Sequence, residues 1–144
     1  MTELTLAISQ LIAAPAKRAY DAWLTPADLA RFMVPCEGGS VPSASADARV
    51  GGRFLIVMRV GDKDIPHSGT YLELKPHSRI RFTWESPHSI DGSEVTLDFV
   101  PEGAGTRIML SQVRFHNEAS RDGHISGWHH ILETFALTMV RKVA

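Results

Sequence analysis

Several stretches of the chain place an apolar residue at every second position. "RIRFTWE" (79–85) sets Ile80, Phe82 and Trp84 against Arg79, Arg81 and Thr83. "EVTLDFV" (94–100) sets Val95, Leu97 and Phe99 against Glu94, Thr96 and Asp98. A period of two predicts strands with one buried face. "LTLAISQLI" (4–12), "RFLIVMRV" (53–60), "HSGTYLELK" (67–75) and "TRIMLSQVRF" (106–115) read as strands too, with "GDKD" and "PEGAG" as hairpin turns. "APAKRAYDAWL" (14–24) and "TPADLARFM" (25–33) predict two short helices, the second with Thr25 as N-cap, Pro26 at its first position and Asp28 in its first turn. Residues 35–52, rich in Gly, Ser and Pro, read mostly as loop. One long helix is predicted over about 119–142.

The resulting order is a strand, two short helices, roughly six strands and a long helix. Strands in a meander with helices kept apart predict an α+β fold, an antiparallel sheet whose apolar face the long helix covers. At about 100° per residue, Ile125, Trp128, Leu132, Phe135, Ala136, Met139 and Val143 share one face of that helix. His130 falls about opposite, next to Arg141 and Thr134, and reads as solvent-exposed. His129 falls at the edge of the stripe, one turn before Glu133. On the strands, Phe54, Ile56 and Met58 point inward because Arg53 and Arg59 must point out; Leu97, Phe99, Ile108 and Leu110 follow by pairing. Continued inward, the last strand would bury Gln112 and Arg114. Either a bulge flips the phase and buries Val113 and Phe115, or polar groups reach the open end of a cavity.

Composition narrows the function classes. The chain has 144 residues, 44% hydrophobic and 22% charged, with a net charge of −1. It is expected to form one domain over 1–144, large enough to bury about 68–70% of its unfolded surface. The near-zero charge without a basic patch argues against nucleic acid. Cys36 is the single cysteine, so no internal disulfide and no cysteine-rich zinc site is expected. The start "MTELTLAISQ" lacks a basic segment and a long apolar run, and no stretch approaches about 20 apolar residues, so neither a leader nor a membrane partner is expected and the cytoplasm is the default location.

"RDGHISGWHHILETFALTMVRK" (121–142) concentrates three histidines in one segment. A helical zinc site needs ligands at i and i+4 on one face. Here the i+4 partners of His129 and His130 are Glu133 and Thr134, so the histidines do not converge and no metal or cofactor is expected. No nucleophile elbow, phosphate loop or zincin motif occurs. "GDKDIPH" (61–67) reads as a solvated hairpin tip, and Glu37 beside Cys36 disfavours a reactive thiolate.

Five blocks, "AYDAWLTPADLARFMVP", "DARVGGRF", "GTYLELKPHSRIRFTWE", "VTLDFVPEGAGTRIMLS" and "GWHHILE", resemble in order the signature blocks of the activator of heat-shock-protein-90 ATPase homologue family, within the START-like (SRPBCC) superfamily. The resemblance covers nearly the whole chain and departs at Phe32 and Met33, where the family often carries tryptophan. It implies a helix-grip fold: a strongly curved antiparallel sheet wrapped around the long C-terminal helix, two short helices after the first strand, and often a hydrophobic cavity between helix and sheet. The leading expectation is a non-enzymatic protein that binds a small apolar or aromatic ligand there. Phe54, Met58, Phe82, Trp84, Phe99, Trp128, Leu132 and Phe135 are the candidate walls, and His67, Gln112 and His129 the candidate polar contacts. Core packing is the plain alternative for each wall residue, and a pair with Glu133 for His129. Two rival functions stay open: a cyclase- or hydrolase-type enzyme using the same cavity, with His129 as acid/base, and a chaperone-related or stress-response interaction module, for which an exposed Leu137 would be a sign. A homodimer is also left open.

Overall fold

A computed structural model of the chain describes residues 3–141. The elements are β1 (Thr5–Ile12), α1 (Ala16–Ala22), α2 (Pro26–Phe32), β2 (Ser40–Ala46), β3 (Arg53–Val60), β4 (Lys63–Lys75), β5 (Arg79–Thr83), β6 (Glu94–Glu102), β7 (Gly105–Val113) and α3 (Glu118–Arg141). The fold is α+β of the helix-grip type. Seven strands form one antiparallel sheet in the order β1-β7-β6-β5-β4-β3-β2, curled into a half-barrel about α3, with α1 and α2 after β1.

The alternating rows face as their patterns predict. Phe54, Ile56 and Met58 of β3, Ile80 and Phe82 of β5, Val95, Leu97 and Phe99 of β6, and Ile108 and Leu110 of β7 are all buried. Each such side chain contributes roughly 1.5–3 kcal/mol by leaving water. Their polar neighbours pair across the outer face, Arg79 Nε to Asp98 Oδ1 at 2.7 Å and Arg81 Nη1 to Glu94 Oε1 at 2.7 Å. Pro26 opens α2 as expected, but Thr25 does not cap it through its side chain; the hydroxyl instead donates to the Asp21 carbonyl at 2.7 Å, back on α1.

Two segments differ from their sequence reading. Ser40–Ala46, inside the expected loop, is the edge strand β2, paired with β3 through its backbone although its side chains are small and half-buried or exposed. The expected "GDKD" turn is shorter than four residues: Lys63 and Asp64 already pair with Val60 and Arg59, and Arg59 Nε meets Asp64 Oδ1 at 2.7 Å. His67 is therefore not at a hairpin tip but inside β4, opposite Ile56.

β4 serves two neighbours. Lys63–Thr70 pairs with β3, Tyr71–Lys75 pairs with β5, and the register shifts between Tyr71 and Glu73. Gly69 lies at this changeover, where any Cβ would overlap the Thr83 carbonyl and the Phe54 ring. Beyond β5, Glu85 bridges to Ser68. The bend brings His67 and Trp84 onto one inner surface, ring centroids 5.1 Å apart.

On α3, Trp128, Ile131, Leu132, Phe135 and Met139 are buried, while Ile125 and Ala136 are partly so. Ile131, absent from the expected stripe, shifts its centre toward His124. Val143 of that stripe and the expected helix end at 142 lie outside the described residues. Phe135 packs on Phe32 at 4.6 Å between ring centroids, and Phe32 on Trp23 at 4.8 Å. His130 corrects its sequence reading: it is half-buried, and its Nδ1 lies 2.8 Å from the Val34 carbonyl. The chain leaving α2 crosses a helix flank that a single-stripe wheel treats as solvent. Leu137 is 59% and Val140 55% exposed. No helix among the described residues is long and apolar enough to cross a membrane.

Candidate ligand cavity

A cavity of about 550 Å³ lies between the first half of α3, the inner ends of β3 and β4, and the loops at residues 84–88 and 114–117. Trp84, Trp128, Met58 and Ile131 supply its buried apolar wall, and His67 and His124 are half-buried on it. Pro87, His88, His116, Asn117 and Ala119 form an exposed rim. The two indoles meet at 4.7 Å between ring centroids and an angle of 51°, and both are almost fully buried. Among the described residues no Asp, Glu, Lys or Arg lines the cavity.

The volume arises from what α3 lacks. Gly123 and Gly127, one turn apart, both line the cavity, and a Cβ at either would meet nothing within 4 Å. Asn117 Oδ1 accepts the Ser120 amide hydrogen at 2.8 Å, capping the helix at the rim.

Around the cavity the polar groups are ordered. His67 Nδ1 lies 3.1 Å from the Ile65 carbonyl. His124 Nδ1 lies 2.8 Å from the Ser120 carbonyl, and its Nε2 lies 3.3 Å from Ser89 Oγ, itself 2.8 Å from Ser86 Oγ. Burial lowers the His67 pKa to about 4; the Ile65 carbonyl opposes it, His124 and His88 add to the lowering, and the Ile56 carbonyl opposes it weakly. Burial, then His88, lowers that of His124 as well. Both rings are neutral near neutral pH. No group of three or more metal-ligating side chains occurs among the described residues.

Of the candidate site residues, the cavity gathers Met58, His67, Trp84 and Trp128. Phe54 and Phe82 back Trp84 from its other side, around a crevice of about 10 Å³ shared with Trp23 and Tyr71. Phe99, Leu132 and Phe135 are core residues that do not border the cavity. Gln112 does point inward, but Arg114, with φ of +69°, ends the alternation and turns Phe115 into a buried position. The Gln112 amide is fully engaged: Trp128 Nε1 donates to its Oε1 at 2.7 Å and its Nε2 donates to Ser93 Oγ at 2.9 Å. His129 is off the cavity, 63% exposed, with Nδ1 3.2 Å from Glu133 Oε1.

The match to known proteins is at the level of the family. Residues 13–139 fit the model of the family described as activator of Hsp90 ATPase homolog 1-like protein. The chain belongs to this family. Solved structures similar to it include a protein from Chromobacterium violaceum, 27% identical, TM-score 0.79, covering 94% of this chain and 96% of that one. Another is from Nitrosomonas europaea, 20% identical, TM-score 0.81, covering 96% of each. A third, an AHSA1-like protein from Aeromonas hydrophila, is 22% identical, TM-score 0.76, covering 91% of each. No curated protein matches the chain.

In this AHSA1-like chain the block "GWHHILE" carries Gly127, Trp128 and Ile131 into the cavity, and "GTYLELKPHSRIRFTWE" carries Trp84. Pro35 ends another block, and the remaining wall comes from outside the blocks: Met58, His67, Ser86 to His88, and the lining residues between His116 and His124. Their signal in the sequence was four of the seven histidines, His67, His88, His116 and His124, falling next to glycine, proline or a chain turn rather than in an apolar row.

Proposed function

We propose that this AHSA1-like protein binds a small, largely apolar aromatic molecule in the cavity between α3 and the β3–β4 end of the sheet. The family and the helix-grip fold support a ligand-binding or chaperone-related module. The observation that favours the ligand-binding form is the cavity itself: about 550 Å³ walled by two tilted indoles, a methionine and an isoleucine. That volume falls in the range of about 300–1,000 Å³ usual for small-molecule sites, and few polar groups converge on it, as such sites require. Methionine at Met58 allows the wall to adapt to ring shape.

The test is a titration of small aromatic compounds followed by tryptophan emission. Saturable quenching with Kd on the order of micromolar, or about −8 kcal/mol, is expected. Trp84→Phe or Trp128→Phe removes the signal, according to which indole reports. Gly127→Phe fills the cavity from the helix side and abolishes binding, whereas His129→Ala, outside the cavity, leaves it unchanged. Binding that survives Gly127→Phe would place the ligand elsewhere and sink the proposal.

A further inference from the structure

The hydrogen-bond polarity of the cavity is set by its backbone. A carbonyl oxygen only accepts, so the nitrogen facing it must carry the imidazole proton. His67 Nδ1, against the Ile65 carbonyl, is therefore the protonated nitrogen of a neutral ring, and His67 Nε2 bears a lone pair. The same holds for His124, whose Nδ1 faces the Ser120 carbonyl. His124 Nε2 then accepts from the Ser89 hydroxyl, which in turn accepts from the Ser86 hydroxyl. Every hydroxyl proton in that chain is committed. The Trp128 N–H is held by Gln112, and Trp84 Nε1 is itself buried, so neither donates into the cavity.

One group on the half-buried wall is left over. His67 Nε2 meets no partner at hydrogen-bonding distance and angle among the described residues; the Ile56 carbonyl, the second backbone oxygen acting on the ring, has the weakest influence on it, and the ring is tilted 32° against Trp84. We infer that the cavity selects aromatic molecules carrying a hydrogen-bond donor, a phenolic hydroxyl or a ring N–H, which is received by His67 Nε2 while the ring packs on Trp84 and Trp128. This rests on the ligand-binding reading above and names the class of ligand.

Charge points the same way. The titratable groups that act on His67 are His124 from α3 and His88 from the loop after β5, with no carboxylate among them. A neutral imidazole among other imidazoles offers an anion a lone pair instead of a proton, so a carboxylate in the same place is disfavoured.

Isothermal titration calorimetry at neutral pH with 1-naphthol, naphthalene, 1-methoxynaphthalene and 1-naphthoate decides the matter on the wild-type protein alone. Naphthalene and the methyl ether bracket 1-naphthol in size and lack the donor. Tighter binding of 1-naphthol than of either, by about 5–10-fold, is expected for one hydrogen bond to a buried acceptor. His67→Phe, which keeps a ring against Trp84, should bring that ratio to about one, and His67→Gln, which keeps an acceptor, should restore part of it. Equal affinities for 1-naphthol and its methyl ether overturn the inference and leave ligand binding standing. So does 1-naphthoate binding most tightly. Absence of binding by all four compounds overturns both the inference and the proposed function.

Discussion

His67 makes the stability of the fold depend on pH in a way that can be isolated. Its pKa is lowered from 6.5 to about 4, chiefly because burial disfavours the imidazolium. Below pH 6.5 the unfolded chain binds a proton at this position while the folded chain does not until pH approaches 4. The unfolded state thus gains ground as pH falls through that window, and the native state is favoured above it. With those two pKa values, moving from about pH 7.5 to about pH 4.5 removes on the order of 2–3 kcal/mol of stability through this one side chain. His67→Phe deletes the titration and retains a ring beside Trp84. Other shifted groups contribute in this window or just below it. His124 is lowered by burial and His88, and Glu85, Asp64 and Glu102 are lowered by hydrogen bonds from Arg53, Arg59 and Arg107. All of them remain in the variant, so they cancel in the comparison. Urea melts of both proteins across the pH series should show the wild type losing more than His67→Phe, by about 2–3 kcal/mol. Parallel losses, within about 0.5 kcal/mol, would mean that the ring is not held neutral by burial, and the tautomer argument for ligand selection would fall with it.

Two further perturbations probe the core behind the cavity. Phe135→Ala, at a fully buried position against Phe32 and Trp23, should destabilise by about 3–5 kcal/mol in a urea melt; a loss below about 1 kcal/mol would mean that α3 is not the central core element. Gln112→Leu leaves the Trp128 N–H buried without its acceptor and should cost about 1–3 kcal/mol, together with a shift in tryptophan emission; an unchanged melt and spectrum would show that this hydrogen bond contributes nothing.

The sheet and the long helix were legible because their signals are local and repeated. Ile80, Phe82, Val95, Leu97, Phe99, Ile108 and Leu110 each alternate with a polar neighbour, and one segment alone has helical period over many turns. β2 was illegible because its residues, Ser40 to Ala46, bury little and are held by backbone pairing with β3, which leaves no hydrophobic period to read. His130 was misread because a wheel assigns one buried face, whereas α3 is also touched by the chain leaving α2 at Val34. The cavity was half legible. Its aromatic wall, Trp84 and Trp128, came from the inward rows. Its polar groups came from a hairpin tighter than the turn residues implied, whose second strand starts at Lys63, and from loops whose placement no periodicity encodes. Gln112 pointed inward as one reading required, yet it serves Trp128 and not the cavity, a distinction that depends on which donor lies opposite.

Gly123 and Gly127 have an effect on the time course of α3 as well as on its shape. Each weakens a helix interior by about 1 kcal/mol relative to alanine, and here both lie in its first half, where the helix walls the cavity rather than the sheet. From Ile131 onward the same helix is anchored by buried Leu132, Phe135 and Met139. Opening of the first turns consequently requires less free energy than unfolding of the rest. Amide hydrogens between Arg121 and Gly127 are expected to exchange with solvent through that local event, and those from Leu132 to Met139 with the whole domain. A molecule held in the cavity as proposed would bear on the first group directly, so its binding is expected to slow exchange between Arg121 and Gly127 and to leave that from Leu132 to Met139 set by the domain as a whole.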